Sequence, residues 1–520
     1  MPPQPPSAAS RDEPVIRERG DACPGALRLH AADDGYLARV RIPGGLLTTR
    51  QALALADAAE RFGDGHLELT SRGNVQLRGL ADGCGGGLAE LLDAAGLLPA
   101  PGHERVRNIV ATPAAGAQVV GWVRELDRLL CASARAADLS GRFLFALDDG
   151  RGDVAALDPD VTVMAAGADG EEGREGTGPA GGEGREGQDG PGRGPGDARP
   201  GADDARPGRG SGGDGPGDAC PGPGDARPGA GDGPGPSVGA GPRPGRGGGP
   251  AYGAGPVSGA GPVSGAGPGW QVLVRLGGAA DAVGVGGGDA ASAALLAAEY
   301  FLDAAGAAGT RPWRVAELPG EHALDAGEFV RRLAEAGIAA VRVPAVAWPY
   351  AEPPRPGRVG AAGLCVLPPL GRVGAAQWRV LAEAADGELR VSPWRSVVLP
   401  RAAADSGGRI ETAGLVVRPG SPWRTVTACT GKPGCAKSLA DVRADARAVV
   451  EVQEAAAELP VHWSGCARRC GHPRGTAWVD LVATPDGYEL DARPVPHADL
   501  AAALTAARTT PTTTEAAVKK

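Results

Sequence analysis

The chain has 520 residues, a formal net charge of −9, 86 glycines and 48 prolines, enough for two or three domains once one Gly/Pro-rich stretch is set aside. The acidic balance excludes a global basic field for nucleic acid, so any anion site is a local one. No run of about 20 apolar residues marks a membrane span.

Residues 1–19 read as a disordered leader without the apolar core of a signal peptide, so a cytoplasmic protein is expected, with no nucleic-acid or membrane partner. Nine cysteines in such a compartment point to metal binding or catalysis rather than disulfides. Periodic structure begins near Ala26. The stretch Arg41–Leu80 reads as a Pro-containing strand end, a glycine turn, a helix of Ala/Leu spacing, an acidic-Gly turn and an alternating strand. The same order returns over Val366–Pro400, with Arg72 closing the strand in one copy and Arg395 in the other. Such a duplication implies two similar α+β halves about a pseudo-twofold axis, with a cleft between them for a large ligand.

The expected organisation is a first half over 20–100, a module over 101–167 and 270–340, a second half over 341–420, a cysteine-bearing module over 421–500 and a flexible tail over 501–520. Residues 168–269, with repeated GPGDARPG-like units, hold too little apolar surface to offset chain entropy and are expected to be disordered. Their flanks, Asp160–Ala165 and Trp270–Arg275, are strand-like, so the insert is expected at the tip of a hairpin. Ala291–Ala308, with Glu299 and Asp303, reads as an ordinary helix. Gly284–Ala294 is glycine-rich before that helix but lacks the ordered G-x-G-x-x-G spacing of a dinucleotide site.

Cys429 and Cys435 form C-x5-C, followed by a helix expected from Ser438 to about Leu459; Cys466 and Cys470 form C-x3-C. Four thiolates in two close pairs suit a [4Fe–4S] cluster, one per iron, and Gly431, Gly434 and Gly465 let backbone pack closely round sulfur. Zinc is the competing metal, although its usual C-x2–4-C spacing differs from the x5 pair. Cys23, Cys84, Cys131, Cys220 and Cys365 stand singly and read as packing or surface residues.

These cysteine pairs, the duplicated half and the strand Leu69–Leu80 resemble the nitrite/sulfite reductase superfamily. Its T-x-R-x-x-x-Q strand is matched by Thr70, Arg72 and Gln76, and its R-N strand by Arg107 and Asn108. The resemblance implies an α+β fold of duplicated ferredoxin-like half-domains and two sulfite-reductase-like modules, with siroheme beside the cluster in true reductases. Gly20–Gly45, Leu139–Asp153 and Leu389–Pro400 resemble one branch, the precorrin-3B synthases. Membership there implies oxygen-dependent hydroxylation of precorrin-3A with γ-lactone closure, a [4Fe–4S] cluster and a mononuclear non-haem iron. Two departures from reductases agree: Ala467-Arg468-Arg469 replaces their P-N-G, and Arg142-Phe143-Leu144 keeps one cation of their lysine pair.

Precorrin-3A is fringed by carboxylates, which guanidinium groups grip bidentately. The substrate-binding candidates are Arg72, Gln76, Arg107, Asn108, Arg142, Arg395 and Lys432, with Arg78 the weakest. Catalytic residues are not assigned. His462 and His472 flank the second cysteine pair, but no 2-His-1-carboxylate spacing stands out. Without a dinucleotide or flavin motif, electrons are expected from a separate ferredoxin or NADH-dependent reductase. Two other readings stay open: a siroheme-dependent sulfite or nitrite reductase, and a non-enzymatic four-cysteine protein.

Overall fold

The computed structural model describes residues 21, 23–166, 270–403, 405–451, 453, 457, 459–473 and 477–509. The expected leader and Gly/Pro-rich insert lie outside the described residues.

The first half contains β1 (His30–Ala32), β2 (Gly35–Val40), β3 (Leu46–Thr48), α1 (Thr49–Phe62), β4 (His66–Leu69), β5 (Val75–Leu80) and α2 (Gly85–Ala94). A capping box starts α1: the Thr48 hydroxyl accepts the Gln51 N–H, and the Gln51 side chain accepts the Thr48 N–H. The first module contains β6 (Ile109–Ala111), α3 (Ala117–Ala132), β7 (Phe145–Asp148), β8 (Val161–Ala165), β9 (Val272–Leu276), β10 (Ala282–Val285), α4 (Ala290–Ala307), α5 (Ala326–Glu335) and β11 (Ala340–Val343). The second half contains β12 (Gly357–Val359), β13 (Gly363–Val366), β14 (Arg372–Gly374), α6 (Ala375–Ala384), β15 (Glu388–Val391), β16 (Val397–Leu399) and α7 (Ser406–Thr412). The second module contains β17 (Val426–Ala428), α8 (Val442–Val450), β18 (Val461–Ser464), β19 (Val479–Thr484), β20 (Gly487–Leu490), β21 (Arg493–Val495) and α9 (Leu500–Thr509).

The halves are duplicated, as the sequence repeat implies, but they exchange strands. The first sheet runs β1-β2-β5-β4-β14 and the second β12-β13-β16-β15-β3. Each half thus completes its partner's sheet. Leu67, Leu69, Val75 and Leu77 from one half and Trp378, Leu389, Val391 and Val397 from the other bury into one core around α1 and α6. The Trp378 indole N–H donates to the Ala52 carbonyl at 2.8 Å, closing that interface.

Both modules repeat a plan as well. In each, three parallel strands are followed by antiparallel ones: β6, β7 and β8 before β9 to β11, and β17, β18 and β19 before β20 and β21. The expected hairpin at the insert is present, with Ala165 opposite Val272.

Three expectations need correction. The helix expected over Ser438–Leu459 is shorter, because Asp441 caps it by accepting the Ala444 N–H and it closes at Val450. The tail expected to be flexible from 501 is a docked helix as far as Thr509: Leu500 and Leu504 enter the module core, and Arg508 donates to the Leu459 carbonyl and the Thr425 hydroxyl. Arg395 is also not the counterpart of Arg72. The turns Thr70–Asn74 and Ser392–Ser396 share their closing hydrogen bonds, which aligns Arg72 with Trp394 and Arg395 with Gly73. Gly73 and Arg395 both take left-handed backbone, with φ of 65° and 57°.

Candidate functional site

The cysteine-bearing loops leave the carboxyl end of the second module's parallel strands. Ala428 and Trp463 are register partners, so Cys429 leaves one strand where Gly465 and Cys466 leave the next. The Cys429 N–H donates to the Trp463 carbonyl at 2.9 Å, and the Gly465 N–H reaches the Cys429 sulfur at 3.1 Å. The Leu439 N–H donates to the Gly465 carbonyl, joining the Cys435 loop to the Cys466 loop. Burial raises the Cys429 thiol pKa, and the nearby Cys470 and Cys466 charges push the same way.

The local chemistry fits a cluster. A Cβ on Gly465 would lie 1.9 Å from the Ser438 hydroxyl, so backbone is pressed against the loop there. Ser464, fully buried beside Gly465, has a hydroxyl without a partner. Among the described residues no three or more His, Cys, Asp or Glu side chains take up the geometry of a single bound ion. His462 is engaged at both ring nitrogens, by the Thr427 hydroxyl at 2.9 Å and the Cys470 carbonyl at 3.1 Å, and burial pushes its pKa down to about 3. His472 is exposed and stacks on Trp478. Both are accounted for by packing.

One face of the first sheet points away from the apolar core and towards this module. On it Arg39, Gln76, Glu68 and Arg372 form a row of register partners across β2, β5, β4 and β14. Arg39 donates to the Gln76 side-chain oxygen at 2.8 Å, and Gln76 donates to Glu68 at 2.9 Å. Arg443 of α8 donates to Glu68 at 2.6 Å and to the Cys429 carbonyl at 3.2 Å. A continuous polar path therefore runs from Arg39 to the Cys429 loop. The corresponding row in the second half is Cys365, Val398, Arg390 and Leu46. There Arg390 is used up on Glu388 and on the Pro113 and Ala115 carbonyls. Among the described residues, the first half's row is the one that is polar throughout.

Beside this row lie Arg41 and Arg72. Arg41 donates through Nε to the Arg105 carbonyl at 3.2 Å, and Arg72 donates to the Arg142 and Gly141 carbonyls at 3.0 and 3.4 Å. None of Arg39, Arg41 and Arg72 is ion-paired to a described carboxylate, and the Arg39 Nε has no partner. Burial, followed by repulsion from Arg39, pulls the Arg41 guanidinium down to about 10. Burial and Arg314 do the same to Arg72. The three guanidinium groups crowd together without a direct ion pair to a described carboxylate, with Glu68, Glu104 and Asp160 the nearest attracting charges, an arrangement that suits an anion. Sequence reasoning named Arg72 and Gln76 and passed over Arg39 and Arg41. The signal was available: in Ala38-Arg-Val-Arg-Ile42 the two arginines alternate with apolar residues, which places them on one strand face.

The other candidates divide. Arg107 lies in the same region but spends its fork on Asp127, at 2.6 and 2.8 Å, and on the Leu97 carbonyl. Asn108, fully buried, bridges the Asn74 amide and the Phe143 carbonyl. In this structure both side chains are engaged by protein groups. Arg78 clamps Asp34 and donates to the Gly434 carbonyl, tying the first half to the cysteine module. Arg142 is exposed, with its guanidinium 4.5 Å over the Trp313 ring, near the Arg72 anchor. Arg395 is aimed at the cysteine module, donating to the Gly471 carbonyl at 3.3 Å. Lys432 is exposed on the Cys435 loop.

Residues 30–94 match the model of the nitrite/sulfite reductase ferredoxin-like half domain. The chain carries that half domain. A precorrin-3B synthase from Sinorhizobium is 49% identical over 67 residues, which is 13% of this chain and 15% of the relative. A ferredoxin–nitrite reductase from Synechococcus elongatus is 42% identical over 83 residues, 16% of each chain. The hemoprotein beta-component of an NADPH sulfite reductase from Shouchella clausii is 31% identical over 114 residues, 19% of each. The alignments thus span under one fifth of these relatives' lengths. Over the whole chain the fold is that of the Mycobacterium tuberculosis NirA protein, with a TM-score of 0.51 at 16% identity, covering 88% of this chain and 73% of that one. The relatives named here are oxidoreductases. No helix among the described residues is long and apolar enough to cross a membrane.

Proposed function

We propose that this chain is an oxidoreductase of the precorrin-3B synthase kind, hydroxylating precorrin-3A with O2 and closing the γ-lactone. The observation that carries the reading is the trio Arg39, Arg41 and Arg72. It has no direct ion pair among the described residues, is largely buried, and is linked through Gln76, Glu68 and Arg443 to the loop of Cys429. Three guanidinium groups suit the carboxylate fringe of a tetrapyrrole, and Arg142 at the rim suits a further carboxylate. Cys429, Cys435, Cys466 and Cys470 would hold a [4Fe–4S] cluster, which supplies single electrons when bound. These residues orient the macrocycle edge against the cysteine module, and the Glu68–Arg443 pair fixes that distance. A mononuclear iron is part of the reading by resemblance, with no ligand set assigned. Electrons would come from a separate ferredoxin or NADH-dependent reductase, and the protein would work in the cytoplasm.

The alternative is a siroheme-dependent sulfite or nitrite reductase, favoured by the names of several relatives. One feature weighs against it. Leu144, in the place of the second cation, is buried with Val110, Ala146 and Val154. Incubation with precorrin-3A, a reductant and isotope-labelled O2 decides between the two. A product carrying one labelled oxygen supports the synthase. Sulfite or nitrite reduction without oxygen consumption overturns it.

A further inference from the structure

The segment before β1 brings a thiol to the guanidinium trio. Asp21 holds this segment in place: one carboxylate oxygen accepts the Cys23 N–H at 2.9 Å, and the other accepts the Gly141 N–H at 2.7 Å and the Ser140 hydroxyl at 2.9 Å. The Cβ position of Gly141 lies 3.1 Å from the Cys23 Cβ and 3.3 Å from the Arg105 carbonyl. That carbonyl receives Arg41, and the Gly141 carbonyl receives Arg72. Cys23, Arg41 and Arg72 are therefore held where the Arg105 and Gly141 backbones meet. Arg41 is 4% exposed and, among the described residues, bonds through Nε alone, which leaves the end of its fork for a ligand. Cys23 is half-buried, so a small reagent can reach it.

We propose that Cys23 is a wall of this carboxylate-binding site, a ligand-contacting residue whose thiol lies against the anionic edge of the bound molecule. The inference deepens the tetrapyrrole reading and rests on it. A neutral thiol is suited to this place. It supplies a weak donor and a compact apolar surface, and it adds no negative charge to compete with the ligand. Burial and the neighbouring Asp21 charge raise its pKa, which keeps it protonated despite the arginines.

The test is alkylation of the full chain by N-ethylmaleimide, followed peptide by peptide by mass spectrometry. It is run alone, with coproporphyrin as a stable tetrapyrrole polycarboxylate, and with tricarballylate as a small one. Porphyrin binding is read separately from its absorption shift. Protection of Cys23 of at least about tenfold by either ligand, with Cys84 labelled at an unchanged rate, supports the inference. Protection by neither overturns it, even when the porphyrin binds, in which case the tetrapyrrole reading survives alone. Protection by tricarballylate without porphyrin binding keeps the wall and sinks the tetrapyrrole reading. In a second arm, Cys23→Asp should weaken ligand binding at least about tenfold by charge competition while leaving the melting temperature in place, and Cys23→Ser should restore affinity. Equal affinity in Cys23→Asp and the parent would overturn the inference.

Discussion

Arg41 and Arg107 are equally buried, 4% exposed each, yet only Arg107 meets a carboxylate. Their substitutions should therefore part company. Arg107→Ala leaves Asp127 without its partner and should cost about 2–4 kcal/mol in chemical denaturation. Arg41→Ala should weaken polycarboxylate binding at least about tenfold, roughly 1.4 kcal/mol, with a smaller stability loss. Asp153 offers a pH test. It is 2% exposed, one carboxylate oxygen takes the Thr112 hydroxyl at 2.7 Å, and the other has no partner. Burial pushes its carboxyl up to about 6, from the ordinary 3.8. The folded protein thus holds this proton more tightly than the unfolded chain. The stability it contributes is complete below about pH 4 and is lost as pH rises through about 6. Asp153→Asn should be more stable than the parent by about 1–3 kcal/mol at pH 8 and show no gain at pH 4, read from urea midpoints at each pH.

At the scale of elements, the exchanged strands β3 and β14 bind the two halves into one body. The turns that launch them contain pseudo-equivalent glycines with different surroundings. A Cβ on Gly45, at φ of 71°, would lie 1.9 Å from the Val391 carbonyl oxygen of the other half. On Gly371, at φ of 69°, it would meet the Arg395 side chain at 2.7 Å. Backbone cannot yield as a flexible side chain can. Gly45→Ala should therefore lose at least about 4 kcal/mol or fail to fold, and Gly371→Ala should lose less, compared by thermal melting. The duplicated strand–helix–strand unit was legible in the sequence, because Ala/Leu spacing and acidic-Gly turns are local signals. The exchange was not: β3 and β14 are three residues long and find partners more than 300 residues away, at Glu388 for Thr48 and at His66 for Gly374. The helix at Leu500 was hidden by the Thr-rich end that follows it, although Leu500 and Leu504 sit one turn apart.

Across the whole molecule there are two modules and two sheet faces of similar plan, and one of each carries the proposed site. In the first module the loop after β7 is closed on itself, because Asp148 accepts the N–H groups of Gly150, Gly152, Val154 and Ala155. In the second, Ser464 stands in that place and the loop carries Cys466 and Cys470. A carboxylate thus fills in one module the position that cysteine-bearing backbone surrounds in the other. The cysteine pairs were plain in the sequence because spacing alone marks them. The anion cleft was only partly so, since motif matching selected Arg107, which folding neutralises, and passed over Arg39 and Arg41.

The proposed [4Fe–4S] cluster on the four cysteines, beside a tetrapyrrole-binding face without resident siroheme, is tested by the optical and EPR spectrum of anaerobically purified protein, with metal and sulfide analysis and acid extraction. A brown protein is expected, with about four cluster irons and four acid-labile sulfides per chain, lost in Cys429→Ala and Cys466→Ala, and no extractable tetrapyrrole. Zinc without acid-labile sulfide, or siroheme in the extract, would contradict it.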